Sequence, residues 1–363
     1  MVETKAEIRF PTHELRDDIP FFTGVLKMRM DMIYPADDPT VAVFSGHGLR
    51  VRVEKGAVEP PGTLRILSDD PDAFADGARI LTAPNGTRVE IDVLAPPLVM
   101  PDTVHSFVVR RLADQAPWII GRAGMHYRDL IPDRLGGSII ASHIRIPDGG
   151  PVPDQVHYHT VGFQLIFCYR GWVDLVYEDQ GPPFRLHAGN CVIQPPEIRH
   201  RVLYASDNIE VIEIGVPAEH VTTIDHDMTL PNDVVNPGRS FQGQRFVHHQ
   251  ADDATWRDFR LPGYQSRDTT IAAHTGDVAG VHVVRRGQGL PVWAAHDSDI
   301  LFTFVMDGGM VLKGEGRDPI TLRPGDAFVI PPGFATLYAD PSEDLELLEV
   351  SLPGRFETEL RDE

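Results

Sequence analysis

Three histidines of this sequence lie at spacings that suit a shared metal ion. His157 and His159 are two residues apart in a stretch of β-type residues, and His200 follows the next strand. Alternate residues of a strand face the same side, so His157 and His159 can present both imidazoles to one ion. Gly162 lets the chain turn, which can bring Gln164 back to the same place. Three imidazoles with an added oxygen donor suit Zn, Fe, Mn, Ni or Cu, with positions left open for water or substrate.

The elements that must position these side chains are short β-strands. The chain of 363 residues contains 31 prolines and 32 glycines, which are spread between short apolar runs. Turn residues at this spacing are typical of an all-β protein. Apolar residues recur at helical spacing most clearly over 16–26, and helical patterns elsewhere are few. We therefore predict a mainly β fold.

An internal repeat organises the last two thirds of the chain. Its landmarks recur at spacings of 136 to 139 residues, which predicts two homologous β domains at 115–222 and 253–354. The recurring pairs are Trp118 and Trp256, Arg128 and Arg267, Asp129 and Asp268, His159 and His296, Gly171 and Gly308, Gly189 and Gly325, and Pro195 and Pro331. In the second repeat, Ala294, Leu301 and Thr336 replace three of the four candidate ligands. A single remaining imidazole cannot hold a catalytic ion, so we predict that the second domain is structural.

The motifs of the first repeat resemble those of the cupin superfamily. The first cupin motif is matched by His157, His159, Gln164 and Gly171. The second is matched by Gly189, Pro195 and His200. The resemblance implies a bicupin, with two double-stranded β-helix barrels of jelly-roll type and a metal ion in the mouth of the first. It also implies one divalent ion per chain, with Fe(II) as the first choice and Mn, Ni or Zn as alternatives.

This sequence departs from the cupin motif at Gln164, where glutamate is usual. Three neutral imidazoles and a neutral amide leave the dipositive charge of the ion uncompensated. Such a site favours an anionic or readily ionised chelating substrate, for example an enolate, a catecholate, a 2-oxo acid or a hydroxy acid. Gln164 is expected either to ligate the ion or to hydrogen-bond a water bound to it.

The resemblance to bicupin dioxygenases favours an Fe(II) dioxygenase acting on a small substrate of this kind. A redox-neutral isomerase, lyase or hydrolase, in which the ion only polarises a carbonyl or hydroxyl group, is an alternative. A non-catalytic cupin that binds a small ligand is a third interpretation. The candidate catalytic residues are Arg145, Glu213 and Tyr158. Arg145 can clamp a carboxylate if its face of the strand lines the barrel mouth, and Glu213 can act as acid or base beside the ion.

Residues 5–97 lie outside the repeat, and their pattern predicts a β-α-β-β order. The segments Phe21–Met28 and Ala83–Glu90 resemble the glyoxalase, or vicinal-oxygen-chelate, family. The resemblance implies a small α+β module with metal-ligand candidates at His13 and Glu90. Because one such module normally supplies half a site, a non-catalytic module that forms a dimer or a lid is the favoured interpretation.

Composition limits the partners of the chain. Lys and Arg number 33 and Asp and Glu number 53, so the net charge is −20, which argues against binding to nucleic acid or an anionic membrane. No signal-peptide core or membrane-spanning run is expected. Cys168 and Cys191 are the only cysteines, which predicts a reducing, cytoplasmic environment without a disulfide framework. We expect a small-molecule substrate. The apolar run Ile300–Met306 needs cover from another domain or subunit, so we expect the two barrels to pack against each other within the chain and the protein to form a homodimer.

Overall fold

The computed structural model describes residues 6–35, 39–114, 117–121 and 124–361. Strands account for 46% of the residues and helices for 9%, so the predicted mainly β class is confirmed. The chain divides into two compact units, Met1–Pro97 and Leu98–Glu363. Within the described ranges, no helix combines the length and apolar character needed to cross a membrane.

The first unit contains two small sheets that share one apolar core. In each sheet, the strand that precedes a helix pairs in parallel with a later strand of the same sheet. The four-stranded sheet has the spatial order Ile8–Thr12, Leu49–Lys55, Val41–Gly46 and Arg29–Tyr34. The three-stranded sheet has the order Thr63–Ser68, Arg88–Val93 and Ile80–Thr82. The helices are Leu15–Pro20, continued by a π-helical turn at Phe21–Val25, and Pro71–Ala75.

The helix predicted over 16–26 is interrupted near its middle. The α-helix ends at Pro20 and a π-helical turn follows, because proline has no N–H to donate and its ring disturbs the preceding turn. Phe22 and Leu26 are nevertheless buried in the core. His13 is exposed and Glu90 forms an ion pair with Arg88, so the structure gives no sign that His13 and Glu90 share a metal site.

The second unit contains two β-barrels, each made of two sheets. In the first barrel, one sheet has the order Val247–His249, Cys191–Ile193, Phe163–Arg170, Ile209–Val216, Ile140–Ile146, His126–Asp129 and Ile119–Ile120. Its other sheet has the order Phe184–His187, Trp172–Tyr177, His200–Ala205, His157–Thr160 and Val221–Ile224, with Gly150–Pro151 beside His200–Ala205.

The second barrel repeats this arrangement. One sheet has the order Arg257–Asp258, Tyr264–Asp268, Gly280–Arg286, Glu346–Leu352, Ile300–Asp307, Ala327–Val329 and Val108–Arg110. The other has the order Ile320–Leu322, Met310–Gly314, Thr336–Ala339, Trp293–His296 and Thr358–Arg361. The remaining elements are the short pair Ser240–Phe241 with Gln244–Arg245, the helix Ile271–Thr275, and 3₁₀ turns at Leu112–Asp114, Arg134–Gly137 and Ala251–Asp253.

The two barrels pack against each other through a continuous apolar core. Alternate residues of Phe163–Arg170, including Phe163 and Phe167, join Phe302 and Phe304 of the second barrel in this core. Residues 300–306 are buried throughout, as expected for a strand covered on both faces. The packing of the two barrels within one chain therefore covers the apolar run Ile300–Met306.

Each barrel is completed by a strand from outside its sequence-derived limits. Val247–His249 pairs with Cys191–Ile193 of the first barrel, and Val108–Arg110 pairs with Ala327–Val329 of the second. These additions cover strands that would otherwise present unpaired edges.

Two equivalent arginines link the barrels reciprocally. Arg128 of the first barrel donates to the Gly325 carbonyl at 2.6 Å, and Arg267 of the second donates to the Gly189 carbonyl at 3.0 Å. The recurrence of the Arg-Asp dipeptide in the barrel that lacks the histidine cluster favours a structural role, and these contacts agree with it. The dipeptide does not act as an ion pair, because Asp129 binds Arg134 instead.

Candidate metal centre

The first barrel brings the three predicted histidines together in its interior. His157 and His159 lie on one strand, and His157 is the direct partner of His200 on the neighbouring strand. Their candidate ligand atoms all lie within 4.8 Å of one another. The three side chains are buried, with exposures of 1%, 8% and 3% for His157, His159 and His200.

The surroundings of each ring fix its orientation. The Nδ1 atom of His157 lies 2.7 Å from the Gln155 carbonyl, and that of His200 lies 2.9 Å from the Ile198 carbonyl. A carbonyl can only accept, so in both rings Nδ1 carries the proton and Nε2 keeps a lone pair. His159 Nδ1 contacts the Thr222 hydroxyl at 2.9 Å. Metal-binding histidines are commonly held in this way, so the donor set fits a divalent ion.

Gln164 and Glu213 form a polar pair on the neighbouring sheet. Gln164 is fully buried, and its Nε2 donates to Glu213 Oε1 at 2.6 Å. Its Oε1 is also buried and has no protein partner, but Gln164 is not among the residues that line the cavity at the three histidines. Glu213 lines the cavity. The structure therefore places the Glu213 carboxylate beside the predicted ligand set, where it would partly compensate the charge that the neutral ligands leave on an ion.

A cavity of about 540 Å³ adjoins the three histidines, a size within the usual range for small-molecule sites. Its lining differs between the two ends. Beyond His159 the lining includes Thr222 and His220, and Arg134 lines the cavity in an ion pair with Asp129 at 3.2 Å. On the other side of the histidines, the strands contribute aliphatic side chains such as Val202 and Val211.

The structure places Arg145 and Tyr158 away from this cavity, in contrast to their predicted catalytic roles. On Ile140–Ile146 it is the opposite face that lines the cavity, and Arg145 instead donates to Asn208 at 2.6 Å. Tyr158 alternates with the two histidines of its strand, so its ring faces the other way. That ring lies beneath the guanidinium of Arg199, at 4.2 Å. Of the three catalytic candidates, only Glu213 reaches the cavity.

Further polar residues of the cavity were not identified from the sequence. Gln194 donates to the Tyr177 hydroxyl at 2.9 Å, and both residues line the cavity. The ring of His220 lies 5.5 Å from that of His159. With 16 histidines in the chain, nothing in the sequence distinguished His220 from the others. Arg134 belongs to no recognisable motif. Its position at the cavity depends on the conformation of the turn that precedes Ile140–Ile146.

The second barrel has an internal ion pair in place of the histidine cluster. Glu349 is the counterpart of Glu213, and it is 2% exposed. It accepts a hydrogen bond from Arg260, whose guanidinium lies over the rings of Phe259 and Phe356 at 4.8 and 5.0 Å. Among the described residues, the histidine cluster of the first barrel is the one group of three or more His, Cys, Asp or Glu side chains whose ligand atoms lie close enough to share an ion.

The remaining histidine of the second barrel, His296, should make stability depend on pH. It is 6% exposed and its Nε2 contacts the Ile330 carbonyl, and burial lowers its pKa from 6.5 to about 4. The unfolded chain then binds a proton between these values while the folded chain does not. The stabilisation is fully present above pH 6.5 and is lost as the pH falls toward 4, by at most about 3 kcal/mol.

Denaturant unfolding of wild type and of His296→Asn, measured from pH 7 to pH 4, tests this prediction. The difference between the two proteins should shrink as the pH falls, since other buried histidines contribute equally to both. A difference that stays constant across this range would contradict it.

Comparison with solved structures identifies the fold of the barrels. Salicylate 1,2-dioxygenase from Pseudaminobacter salicylatoxidans has a TM-score of 0.53 and 15% identity, covering 72% of this chain and 90% of that one. A variant of oxalate decarboxylase OxdC from Bacillus subtilis gives 0.52 and 11%, covering 72% and 81%. Protein Ylba from E. coli gives 0.50 and 12%, covering 72% and 96%. No protein-family model and no curated protein sequence matches the chain.

All three neighbours are bicupins, so the cupin fold expected from the sequence is confirmed. Identities of 11 to 15% show the fold alone. The resemblance of the first unit to the glyoxalase family stays a prediction, as do the homodimer and the cytoplasmic location.

Proposed function

We propose that the first barrel is the active site of a metal-dependent cupin enzyme. The observation that carries this proposal is the convergence of three buried imidazoles, whose candidate ligand atoms lie within 4.8 Å of one another, beside a cavity of substrate size. Two neighbours of the same fold are named as a dioxygenase and a decarboxylase, which supports an enzyme rather than a binding protein.

The favoured reaction is oxidation of a small chelating substrate by O₂, with Fe(II) as the metal. The salicylate dioxygenase among the neighbours supports this choice. When bound, Fe(II) would act as a Lewis acid toward the oxygens of the substrate and would supply the redox chemistry needed for O₂. Mn, Ni and Zn remain alternatives for the ion.

The residues of the chain supply the remaining functions. Glu213 accepts the proton that an enol, phenol or hydroxy acid releases on binding. Gln164 positions that carboxylate through its hydrogen bond, and its own Oε1 is the fourth candidate ligand. The buried Tyr177 and Gln194 pair can orient an oxygen of the substrate. The aliphatic walls exclude water from the reacting groups.

A redox-neutral reaction of a small oxo or hydroxy acid is the second candidate. The oxalate decarboxylase among the neighbours favours it. In that case the ion would act only as a Lewis acid, and Glu213 would transfer a proton during the reaction.

Oxygen uptake separates the two reactions. The protein is loaded with Fe(II) under anaerobic conditions. It is then mixed with O₂-containing buffer and a catechol, a β-diketone, a hydroxy-aromatic acid or a 2-oxo acid, and the concentrations of O₂ and product are measured over time. We expect O₂ consumption that is stoichiometric with product and lost in His157→Ala. Product without O₂ consumption would support the redox-neutral alternative. No turnover with any class, in protein that binds Fe(II), would count against the proposed enzyme.

Replacing Glu213 by glutamine should lower kcat by about 100-fold or more, because the amide cannot accept the substrate proton. Metal content should remain near that of wild type, since the histidines are unchanged. Glu219→Gln, at an exposed site, serves as the matched control and should retain full activity. Wild-type turnover in Glu213→Gln would remove Glu213 from the mechanism.

A further inference from the structure

We propose that the substrate carries an apolar body, and that this body occupies an aliphatic pocket on one side of the three histidines. The inference deepens the proposed function, and it rests on that function because the metal-binding part of the substrate must lie at the histidines. The aliphatic pocket is defined by Ile144, Val173, Leu175, Val202, Ile209 and Val211, all of which line the cavity.

Strand register places all of these side chains on the same side of the histidines. Two residues beyond His200 along its strand comes Val202, which pairs with Leu175. Two residues from Glu213 comes Val211, which pairs with Ile144. On the strand of His200 and on the strand of Glu213, the next inward-facing residue beyond the polar one is therefore aliphatic. Thr222 lies at the other end of the cavity. It pairs with His159, and the antiparallel register places His159 on the opposite side of the His157–His200 pair from Val202.

The second barrel shows how the same interior is filled in the barrel that lacks the histidine cluster. Leu175 and Val202 of the first barrel correspond to Leu312 and Tyr338, which form the same cross-strand pair. Tyr338 is buried, with 3% exposure, in the apolar core of the second barrel. Val211 likewise corresponds to Leu347. Larger side chains therefore occupy the second barrel at the positions of Val202 and Val211, whereas the smaller Val284 stands at the position of Ile144.

An empty aliphatic cavity is costly to a folded protein, and cavities of this character bind apolar ligands. The residues that define the pocket carry no charge, so a charged extension of the substrate would lose its hydrogen bonds among them. Tyr127, which pairs with Ile144, also lines this end and adds a hydroxyl group. At this end the lining also includes Ile119, which is 68% exposed. The aliphatic pocket therefore reaches the protein surface and can accept a chain from outside.

Binding of n-alkyl hydroxamic acids to Zn(II)-loaded protein tests the proposal without turnover. The hydroxamate group chelates the ion, and the alkyl chain is lengthened from acetohydroxamic to hexanohydroxamic acid. Each buried methylene contributes about 0.8 kcal/mol, so affinity should rise about fourfold per methylene and about 250-fold over the series. Affinity that does not change with chain length would overturn the aliphatic pocket while leaving the metal centre intact.

Two variants separate the aliphatic pocket from a general preference for apolar ligands. Val202→Tyr introduces the side chain of the second barrel, and the gain from acetohydroxamic to hexanohydroxamic acid should fall to a few-fold. Leu203→Tyr, on the opposite face of the same strand, should keep the full gain. An equal gain in both variants would overturn the proposal. If even acetohydroxamic acid fails to bind in a zinc-dependent way, the metal centre itself is wrong, and the inference is overturned with it.

Discussion

Replacing His159 by alanine should weaken metal binding by this protein at least about 100-fold. The side chain supplies one of three imidazoles, and loss of an outer partner of a metal ligand alone costs about 10- to 100-fold in affinity. Loss of the ligand itself should cost at least about 100-fold. The dissociation constants of wild type and variant for Zn(II) and Mn(II), measured by competition with a chelator of known affinity, give the result.

His296→Ala provides the matched control, because His296 occupies the equivalent position of the second barrel. This variant should keep the stoichiometry, metal affinity and turnover of wild type, since the second barrel lacks the other ligands. Metal affinity that is lost in His296→Ala and kept in His159→Ala would reverse the roles assigned to the two barrels.

Replacing Arg260 by methionine should lower the free energy of unfolding of the 98–363 unit by about 3 kcal/mol. The change leaves the carboxylate of Glu349 buried without its cation, and breaking a buried ion pair in this way costs about 3–5 kcal/mol. We expect the lower part of this range because the Arg260 side chain is 21% exposed. Urea unfolding followed by tryptophan fluorescence reports on this unit, since all four tryptophans belong to it.

The double variant Arg260→Met with Glu349→Gln distinguishes the ion pair from simple packing. Replacing the unpaired carboxylate of Glu349 by a neutral amide should recover part of the lost free energy of unfolding, although the amide still needs hydrogen-bond partners. If the double variant is as unstable as Arg260→Met, the loss comes from the packing of Arg260 on Phe259 and Phe356 instead.

The histidine cluster could be predicted because it depends on local rules. Alternation along a strand places His157 and His159 on one face, and the spacing to His200 resembles a known motif. The same reasoning identified the missing ligands of the second repeat. The first inference needed only the order of residues within short segments, and the second needed only the spacing of the repeat, so neither depended on the packing of the strands.

The catalytic candidates were harder to predict, because they depend on which face of a strand turns inward. On Ile140–Ile146 the face with Ser142 and Ile144 lines the cavity, and Arg145 lies on the other face. No local pattern decides this, since both faces carry polar and apolar residues. The hydrogen bond between Gln164 and Glu213 joins residues 49 positions apart, so it depends on the register of two strands. The ion pair of Arg260 with Glu349 was missed for the same reason.

X-ray absorption spectroscopy of the metal-loaded protein tests the central claim most directly. The Zn(II) complex of wild type should show three imidazole ligands, with zinc–nitrogen distances of about 2.0–2.1 Å. His157→Ala should show fewer imidazoles, or no bound metal. A wild-type spectrum made up of oxygen ligands alone, or an imidazole signal that is unchanged in His157→Ala, would contradict a metal centre in the first barrel.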